Sequence, residues 1–216
     1  MKEQLTEALI AGNTDTVNAL TQALLASGTS AREILDEALL PGMEVVGARM
    51  RSGECFIPEV LLSARTMQGA LEILKPHLGA GEGAGLGTIV IGTVEGDLHD
   101  IGKNLVGMLL QGAGFAVVNL GTGVSAQQFV AAVKQHSPAI LGMSALLTTT
   151  LPHMAETIAA LQEAGLRDQV KVLIGGAPVT QAFADELGAD GYGANAGMAV
   201  DRAKTIVAQA ATPQAI

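Results

Sequence analysis

The feature that most constrains the fold is a change of pattern at the glycine-rich segment 79–87. Before it, apolar residues recur only at helical spacing; from Thr88 onward, short apolar runs alternate with helical patterns. The pattern predicts strands at 88–94, 115–119, 139–143, 170–174 and about 189–192, and helices at 102–113, 125–136, 152–164, 179–187 and 196–209. Such alternation predicts an α/β fold, with a flavodoxin/Rossmann-like five-stranded parallel sheet in the order 2-1-3-4-5.

Residues 1–78 are predicted to form a helical cap domain. Ser30-Ala-Arg-Glu33 has the form of a capping box that opens the third helix, and Pro41 inside that helix is expected to kink or split it. Pro58 begins a fourth helix. Four helices of this size favour an antiparallel four-helix bundle, joined by the linker at 79–87 to an α/β domain at 88–216.

Composition restricts the classes of function. The formal charge of −9 argues against a nucleic-acid partner, since phosphates require basic patches. No apolar run reaches the roughly 18 residues that span a bilayer, and no signal peptide is apparent, so we expect a cytoplasmic protein without a membrane partner. The lone Cys55 excludes an internal disulfide and a thiolate metal cluster, and is most simply a small buried hydrophobe.

A histidine and an aspartate follow the first predicted strand. Asp97, His99 and Gly102 are expected on the strand-to-helix loop, at the carboxyl edge where such sheets bind ligands. Asp97 is close enough to hold one ring nitrogen of His99 and raise the basicity of the other, as the partner of a ligand histidine does. One histidine cannot build a zinc or iron site, but it suffices as an axial ligand when the metal arrives inside a macrocycle.

Other interpretations of this loop stay open on residue type alone. A surface histidine beside a capping aspartate is about as common as a ligand histidine. No phosphate-binding loop of the GxxxxGK[ST] kind is present, and no GxGxxG follows the first strand. The loop therefore does not predict a nucleotide site.

The spacing of three motifs resembles a known signature. Asp97-x-His99-x-x-Gly102 is followed after 41 residues by Ser144-x-Leu146, and after 28 more by Gly175-Gly176. This resembles the cobalamin-binding signature of cobalamin-dependent methionine synthase and of the small corrinoid proteins of methyltransferase systems. Residues 42–70 resemble the helical cap of the same family, so the resemblance covers nearly the whole chain.

The resemblance implies roles for the signature residues. His99 would be the lower axial ligand to cobalt, and Asp97 would hold it. Thr150 stands where the family has a serine that completes the relay; it keeps the hydroxyl and adds a methyl group. Ser144 and Gly175-Gly176 would line the cleft for the displaced nucleotide tail of the cofactor.

Further cofactor contacts are expected from both domains. Met50, Phe56 and Ile57 of the cap would shield the upper, methyl-bearing face, with Met50 standing where an aromatic residue is more common. The remaining expected contacts lie on the loops of the sheet domain: Asp100, Ile101, Gly102, Leu146 and Thr148.

Structural interpretations of the same residues stay open. Met50, Phe56 and Ile57 could be bundle core, because apolar stripes on helices usually are. Ser144 and Thr150 could cap helices. Asp100, with Lys103 and Asn104, could face solvent or form local hydrogen bonds.

Taken together, the resemblance implies a corrinoid methyl carrier. The cofactor would be cobalamin or a related corrinoid, in its cobalt(I) and methylcobalamin forms during turnover. It would receive a methyl group from a substrate-specific methyltransferase and pass it to an acceptor methyltransferase that uses tetrahydrofolate or a thiol; a reductive activase would be a third partner. The chain has no substrate-activating site, so we expect a non-catalytic carrier subunit. Methanol, methylamines, betaines and methoxylated aromatics are all open as methyl donors.

Three other functions compete with the carrier. A cobalamin-binding sensor usually carries a helix-turn-helix domain, for which this chain has neither room nor basic charge. The binding subunit of an adenosylcobalamin isomerase generally lacks the four-helix cap. A flavodoxin-like receiver needs an acidic cluster at the first strand, which is apolar here.

Overall fold

The computed structural model describes residues 1–77 and 85–211. The chain divides into two compact units, one of Met1–Gly85 with Met108–Phe115 and one of Leu86–Gly107 with Ala116–Ile216. Most of the predicted linker, residues 79–84, lies outside the described residues, so the predicted domain boundaries stay a prediction.

The first unit is helical, as predicted. Its α-helices are α1 (Lys2–Ile10), α2 (Thr14–Ala26), α3 (Ala31–Ile34), α4 (Leu40–Ser52) and α5 (Ile57–Leu74). The Ser30 hydroxyl accepts a hydrogen bond from the Glu33 amide at 3.1 Å, which confirms the predicted cap of α3. Helices α1, α2 and α4 all pack against α5, and their apolar faces are buried.

A π-helical segment, Leu35–Leu39, lies between α3 and α4. The Leu40 amide bonds to the Leu35 carbonyl, five residues back rather than four. Pro41 follows and has no N–H with which to continue the α-helical ladder. The predicted kink or split at Pro41 therefore takes the form of a widened turn just before the proline, and the helical backbone continues through it.

The second unit contains a five-stranded parallel sheet. Its strands are β1 (Thr88–Thr93), β2 (Ala116–Asn119), β3 (Ile140–Ser144), β4 (Lys171–Gly175) and β5 (Gly191–Gly193), and the predicted order β2-β1-β3-β4-β5 is confirmed. The helices between and after them are α6 (Ile101–Gly112), α7 (Ala126–His136), α8 (Pro152–Glu163), α9 (Gln181–Leu187) and α10 (Ala196–Ala211). Among the described residues, no helix is both long and apolar enough to cross a lipid bilayer.

Helix α9 begins later than the predicted residue 179. The Thr180 hydroxyl accepts a hydrogen bond from the Phe183 amide at 3.2 Å and so caps the helix. Strand β5 also begins later than predicted, because the Ala189 amide bonds to the Ala184 carbonyl at the end of α9. Local hydrogen bonds thus set both boundaries.

The parallel register aligns the carboxyl ends of the central strands. Thr93 of β1 pairs with Ser144 of β3, and Ser144 pairs with Gly175 of β4. The loops that follow these three strands therefore leave the sheet at one edge, as predicted for a ligand-binding crevice. One face of the sheet shares a buried core with α7 and α8, including Phe129 and Met154.

Candidate functional site

The β1–α6 loop holds Asp97 and His99. Gly96 begins the turn with φ +75°, a conformation that favours glycine. At the end of β1, the buried Thr93 hydroxyl donates to the His99 carbonyl at 3.0 Å, and the Gly123 amide donates to the Asp97 carbonyl at 3.0 Å. The loop is thus fixed at its backbone before either functional side chain is considered.

The Asp97 carboxylate is fully buried and is contacted by five donor groups. Its Oδ1 accepts from the His99 amide at 3.0 Å and lies 2.8 Å from His99 Nδ1. Its Oδ2 accepts from the amides of Leu146 and Leu147, at 2.7 and 3.2 Å, and from the Thr150 hydroxyl at 3.0 Å. One carboxylate therefore joins the β1–α6 loop to the β3–α8 loop.

The hydrogen bonds determine the charge of Asp97. Burial alone would raise its pKa, but the hydrogen bonds from His99, Leu146 and Leu147 outweigh burial and hold the pKa of Asp97 well below its usual range. The carboxylate is therefore ionised at neutral pH.

An ionised Asp97 fixes the tautomer of His99. A proton on Nδ1 points at Oδ1, which leaves the lone pair on Nε2. Nε2 has no hydrogen-bond partner among the described residues, and the His99 side chain is 52% exposed. An oriented, basic and accessible ring nitrogen is what a metal-ligating histidine requires.

Thr150 lies at the far end of this chain of contacts and is itself buried. Its hydroxyl is 3.0 Å from Asp97 Oδ2 and 2.8 Å from the Leu147 carbonyl, so its one proton lies between two acceptors. The N-cap of α8 is Leu151, without a side-chain cap bond, so the alternative role of Thr150 as a cap is wrong. The hydroxyl contacts the carboxylate, as the resemblance implies.

Exposed apolar side chains lie on both the β1–α6 and the β3–α8 loops. Leu98 and Ile101 are 76% and 84% exposed, and Leu146 and Leu147 are 43% and 41% exposed. Clustered exposed apolar side chains mark binding surfaces more often than solvated ones. On the two loops that Asp97 joins, they offer exposed apolar surface to a large and partly apolar ligand.

The predicted glycines of the site have different surroundings. A Cβ added at Gly102 would meet nothing within 4 Å, so the start of α6 is open to a neighbour. A Cβ at Gly176 would lie 1.8 Å from the Ala145 carbonyl oxygen, and one at Gly175 would lie 3.0 Å from the Gly193 carbonyl oxygen. Close backbone packing thus explains why Gly175 and Gly176 lack side chains, without invoking a ligand.

The remaining predicted residues of the sheet domain lie on the same loops. Ser144 ends β3 half-buried, and its hydroxyl has no hydrogen-bond partner among the described residues, so it caps no helix there. Thr148 is exposed in the turn after Leu147. Asp100 is half-buried and accepts a hydrogen bond from Asn104, so the local interpretation of Asp100 holds.

The predicted cap residues lie at the connection between α4 and α5. Phe56 and Ile57 are 71% and 51% exposed, so their interpretation as bundle core is wrong, while Met50 is half-buried. The Phe56 amide donates to the Glu59 carboxylate at 2.8 Å, which fixes the start of α5. Two large apolar side chains are thus held in an exposed position.

Comparison with known proteins identifies relatives of this chain. Two family models, each described as a B12 binding domain, match residues 1–75 and 87–201. A corrinoid protein of Desulfitobacterium hafniense is 43% identical over 208 residues, covering 95% of this chain and 96% of that protein. Dimethylamine corrinoid protein 1 of Methanosarcina acetivorans is 47% identical over 171 residues, covering 79% and 80%.

A solved structure extends the likeness. The methanol:cobalamin methyltransferase complex MtaBC of Methanosarcina barkeri includes a chain that is 36% identical, with a TM-score of 0.86. The match covers 95% of this chain and 78% of that one. The chain belongs to the corrinoid protein family of methyltransferase systems.

Membership of the corrinoid protein family confirms the predicted family, fold and class of cofactor. The site also suits such a cofactor on its own geometry. His99 offers one nitrogen with a fixed tautomer, exposed apolar side chains lie on the two loops that Asp97 joins, and a Cβ at Gly102 would meet open space. Among the described residues, no three His, Cys, Asp or Glu side chains are grouped so that they could hold a metal ion.

Sequence reasoning missed several parts of this corrinoid protein's site. The amides of Leu146 and Leu147 bind Asp97, and no side-chain pattern signals a backbone donor. Thr93 looked like one more β-branched strand residue, although its hydroxyl holds the His99 carbonyl. Lys103 is 5% exposed, which excludes the solvent-facing interpretation for that residue.

Proposed function

We propose that this corrinoid protein carries a methyl group on a corrinoid whose cobalt is ligated from below by His99. The observation that carries the proposal is the buried, ionised Asp97 beside His99 Nδ1. It keeps the proton on Nδ1 and leaves the Nε2 lone pair accessible to a metal. The relatives named for dimethylamine and for methanol:cobalamin methyl transfer support the carrier role.

The residues of the site would ligate the cobalt and hold one proton in place. Bound there, the corrinoid supplies a cobalt centre that accepts and releases methyl groups. His99 Nε2 would donate its lone pair to that centre. The proton on Nδ1 stays between the ring and Asp97, which keeps the ring oriented whether or not Nε2 is coordinated.

Thr150 would keep a hydrogen bond available to the Asp97 carboxylate whether or not His99 is coordinated. Its hydroxyl can donate to Asp97 Oδ2 or to the Leu147 carbonyl, since both acceptors lie within 3.0 Å. The Leu146 amide stays on Oδ2 in either case. The carboxylate can therefore remain in place while the ligation of His99 changes.

The proposal includes partners and a shielded upper face. A substrate-specific methyltransferase would deliver the methyl group, an acceptor methyltransferase using tetrahydrofolate or a thiol would remove it, and a reductive activase would restore the reduced cofactor. Phe56 and Ile57, with Met50, would shield the methyl-bearing face, a role that their exposed apolar surface supports. A cytoplasmic location without a nucleic-acid partner is part of the same proposal.

The test is the axial ligation of cobalt. Because the benzimidazole base of cobalamin also has a nitrogen that can ligate cobalt, the protein is produced with ¹⁵N-labelled histidine. Loaded with unlabelled cobalamin and reduced to cobalt(II), it should show the two-line superhyperfine splitting of a ¹⁵N ligand in its electron paramagnetic resonance spectrum. This splitting is the nitrogen signal of the test, and His99→Ala should lose it. His153→Ala is the matched control, because His153 Nδ1 also lies 2.8 Å from a carboxylate, that of Glu156. A nitrogen signal that survives in His99→Ala, or retention of no corrinoid by the wild type, would refute the proposal.

A further inference from the structure

A buried lysine, Lys103, lies four residues after His99 and takes no part in the hydrogen bonds to Asp97. Lys103 Nζ donates to Asn104 Oδ1 at 2.7 Å and to Asn119 Oδ1 at 2.8 Å. Asn119 Nδ2 donates to Asn104 Oδ1 at 3.0 Å, and Asn104 Nδ2 donates to Asp100 Oδ2 at 2.9 Å. We call these four residues the Lys103 cluster.

Stability alone does not explain a lysine at this position. Lys103 lies in the first turn of α6, where the helix dipole disfavours a positive charge. Burial lowers its pKa, and the charge of Asp100 acts in the opposite direction without cancelling that effect. Among the described residues Lys103 forms no salt bridge, so its ammonium group is held by asparagine oxygens alone, and burying a charge without an opposite charge costs free energy.

The Lys103 cluster is connected to His99 through the loop 120–125. Asn119 Oδ1 accepts from the Gly121 amide at 3.0 Å, and the Gly121 carbonyl accepts from the Thr93 amide at 3.0 Å. Thr93 in turn donates its hydroxyl to the His99 carbonyl at 3.0 Å. An unbroken series of short hydrogen bonds therefore runs from the ammonium group to the His99 backbone.

The loop 120–125 needs such external support. Gly121 and Gly123 have φ +84° and +65°, and a Cβ at either would meet nothing within 4 Å. Leu120 and Val124 pack against the core, whereas the backbone around the two glycines between them depends on hydrogen bonds for its shape. One of these bonds reaches the end of β1, from the Thr93 amide to the Gly121 carbonyl, and another reaches the His99 loop, from the Gly123 amide to the Asp97 carbonyl.

We propose that Lys103 is a positioning residue, which acts through Asn119 and the loop 120–125 to hold the His99 loop in the arrangement that presents Nε2 to a corrinoid cobalt. The inference rests on the proposed ligation by His99. It assigns to Lys103 an effect on the ligation equilibrium, separate from any effect on folding.

The experiment compares ligation and stability in Lys103→Met. Each protein is labelled with ¹⁵N-histidine, loaded with unlabelled cobalamin and reduced to cobalt(II), and the ratio of ¹⁵N-ligated cobalt to the remaining cobalt is measured by electron paramagnetic resonance. We expect this ratio to fall about tenfold, as for other groups that orient a ligand histidine. The urea midpoint of the cofactor-free protein measures the effect on folding separately. Lys134→Met, on the exposed surface of α7, removes the same charge and should change neither quantity.

A second variant keeps the test decisive if Lys103→Met does not fold. Asn119 is exposed, so Asn119→Ala should fold and should lower the ligation ratio in the same direction. In the double variant, the second substitution should add little, because both act along one path. A wild-type ratio in Asn119→Ala, or in a folded Lys103→Met, would overturn the proposal. A nitrogen signal that persists in His99→Ala would instead refute the ligation itself.

Discussion

Replacing Asp97 by asparagine tests whether the buried carboxylate organises the site. An asparagine side chain keeps the shape but presents one oxygen and one NH₂ group. Two donors from His99 face Oδ1, and three donors face Oδ2. Turned toward Leu146, the NH₂ group meets the amides of Leu146 and Leu147; turned toward His99, it meets the His99 amide, while the ring can change tautomer and accept through Nδ1. At least one buried donor is therefore left unpaired.

The magnitude follows from those unsatisfied donors. A hydrogen bond to a charged group contributes about 1.5–3 kcal/mol, and a buried donor left unpaired costs about 1–3 kcal/mol. For at least one unpaired donor, and a neutral acceptor in place of a charged one for the others, we expect Asp97→Asn to lower the free energy of unfolding by about 2–5 kcal/mol at pH 7.

The sheet unit has its own optical probe for this measurement. The chain has no Trp and a single Tyr, and Tyr192 lies in β5. Urea unfolding of the cofactor-free protein, followed by tyrosine fluorescence, therefore reports on the sheet unit. Asp168→Asn is the control, because Asp168 is exposed in the same unit and should change stability by no more than about 0.5 kcal/mol.

The pH dependence has a definite sign. Because the pKa of Asp97 is depressed by folding, its contribution to stability is fully present above the unfolded value of about 3.9 and is lost as the pH falls below it. The difference between wild type and Asp97→Asn should therefore shrink from pH 7 to pH 3. A cost equal to that of Asp168→Asn, or one that does not change with pH, would refute this account of the network.

Further substitutions test the rest of the site by the same urea assay. Thr150→Val should cost about 1–2 kcal/mol because it removes a buried hydroxyl from a charged acceptor, whereas Thr149→Val, on the exposed neighbour, should cost little. Gly176→Ala should cost more than about 3 kcal/mol or prevent folding, since its Cβ would lie 1.8 Å from the Ala145 oxygen at φ +133°. Gly102→Ala should stabilise the cofactor-free protein by up to about 1 kcal/mol, because the space is open and alanine favours helix, yet weaken retention of cobalamin measured by gel filtration. Equal cobalamin retention in wild type and Gly102→Ala would show that no cofactor approaches that position.

The sheet was predictable because its signals are local and repeated. Apolar β-branched runs such as Thr88–Val94 have few alternatives to a buried strand, and short loops between them restrict the strand order. The boundaries were less predictable, since Thr180 shifts the start of α9 with one hydroxyl. The π segment before Pro41 shows a similar limit: the proline predicts a disruption, but not how the preceding turn absorbs it.

The parts of the site formed by side chains could be predicted from the sequence, whereas the parts formed by backbone groups could not. The contact between Asp97 and His99 follows from their separation of two residues on one loop. The amides of Leu146 and Leu147, by contrast, reach Asp97 across about 50 residues, and any residue except proline offers that donor. Residue type also misled for Lys103, because lysine is almost never buried unless it is paired.

The number of hydrogen-bond donors around Asp97 makes the His99→Ala variant interpretable. Removing the His99 ring takes away one of the five contacts to Asp97, while the His99 amide, the two leucine amides and the Thr150 hydroxyl remain. Four donors are enough to keep a buried carboxylate ionised and in place. The His99 ring is also half exposed, so its loss leaves no large cavity. The free energy of unfolding of His99→Ala should therefore lie within about 1 kcal/mol of the wild-type value. Because the loop keeps its shape, a nitrogen signal missing from the spectrum of this variant would reflect lost ligation.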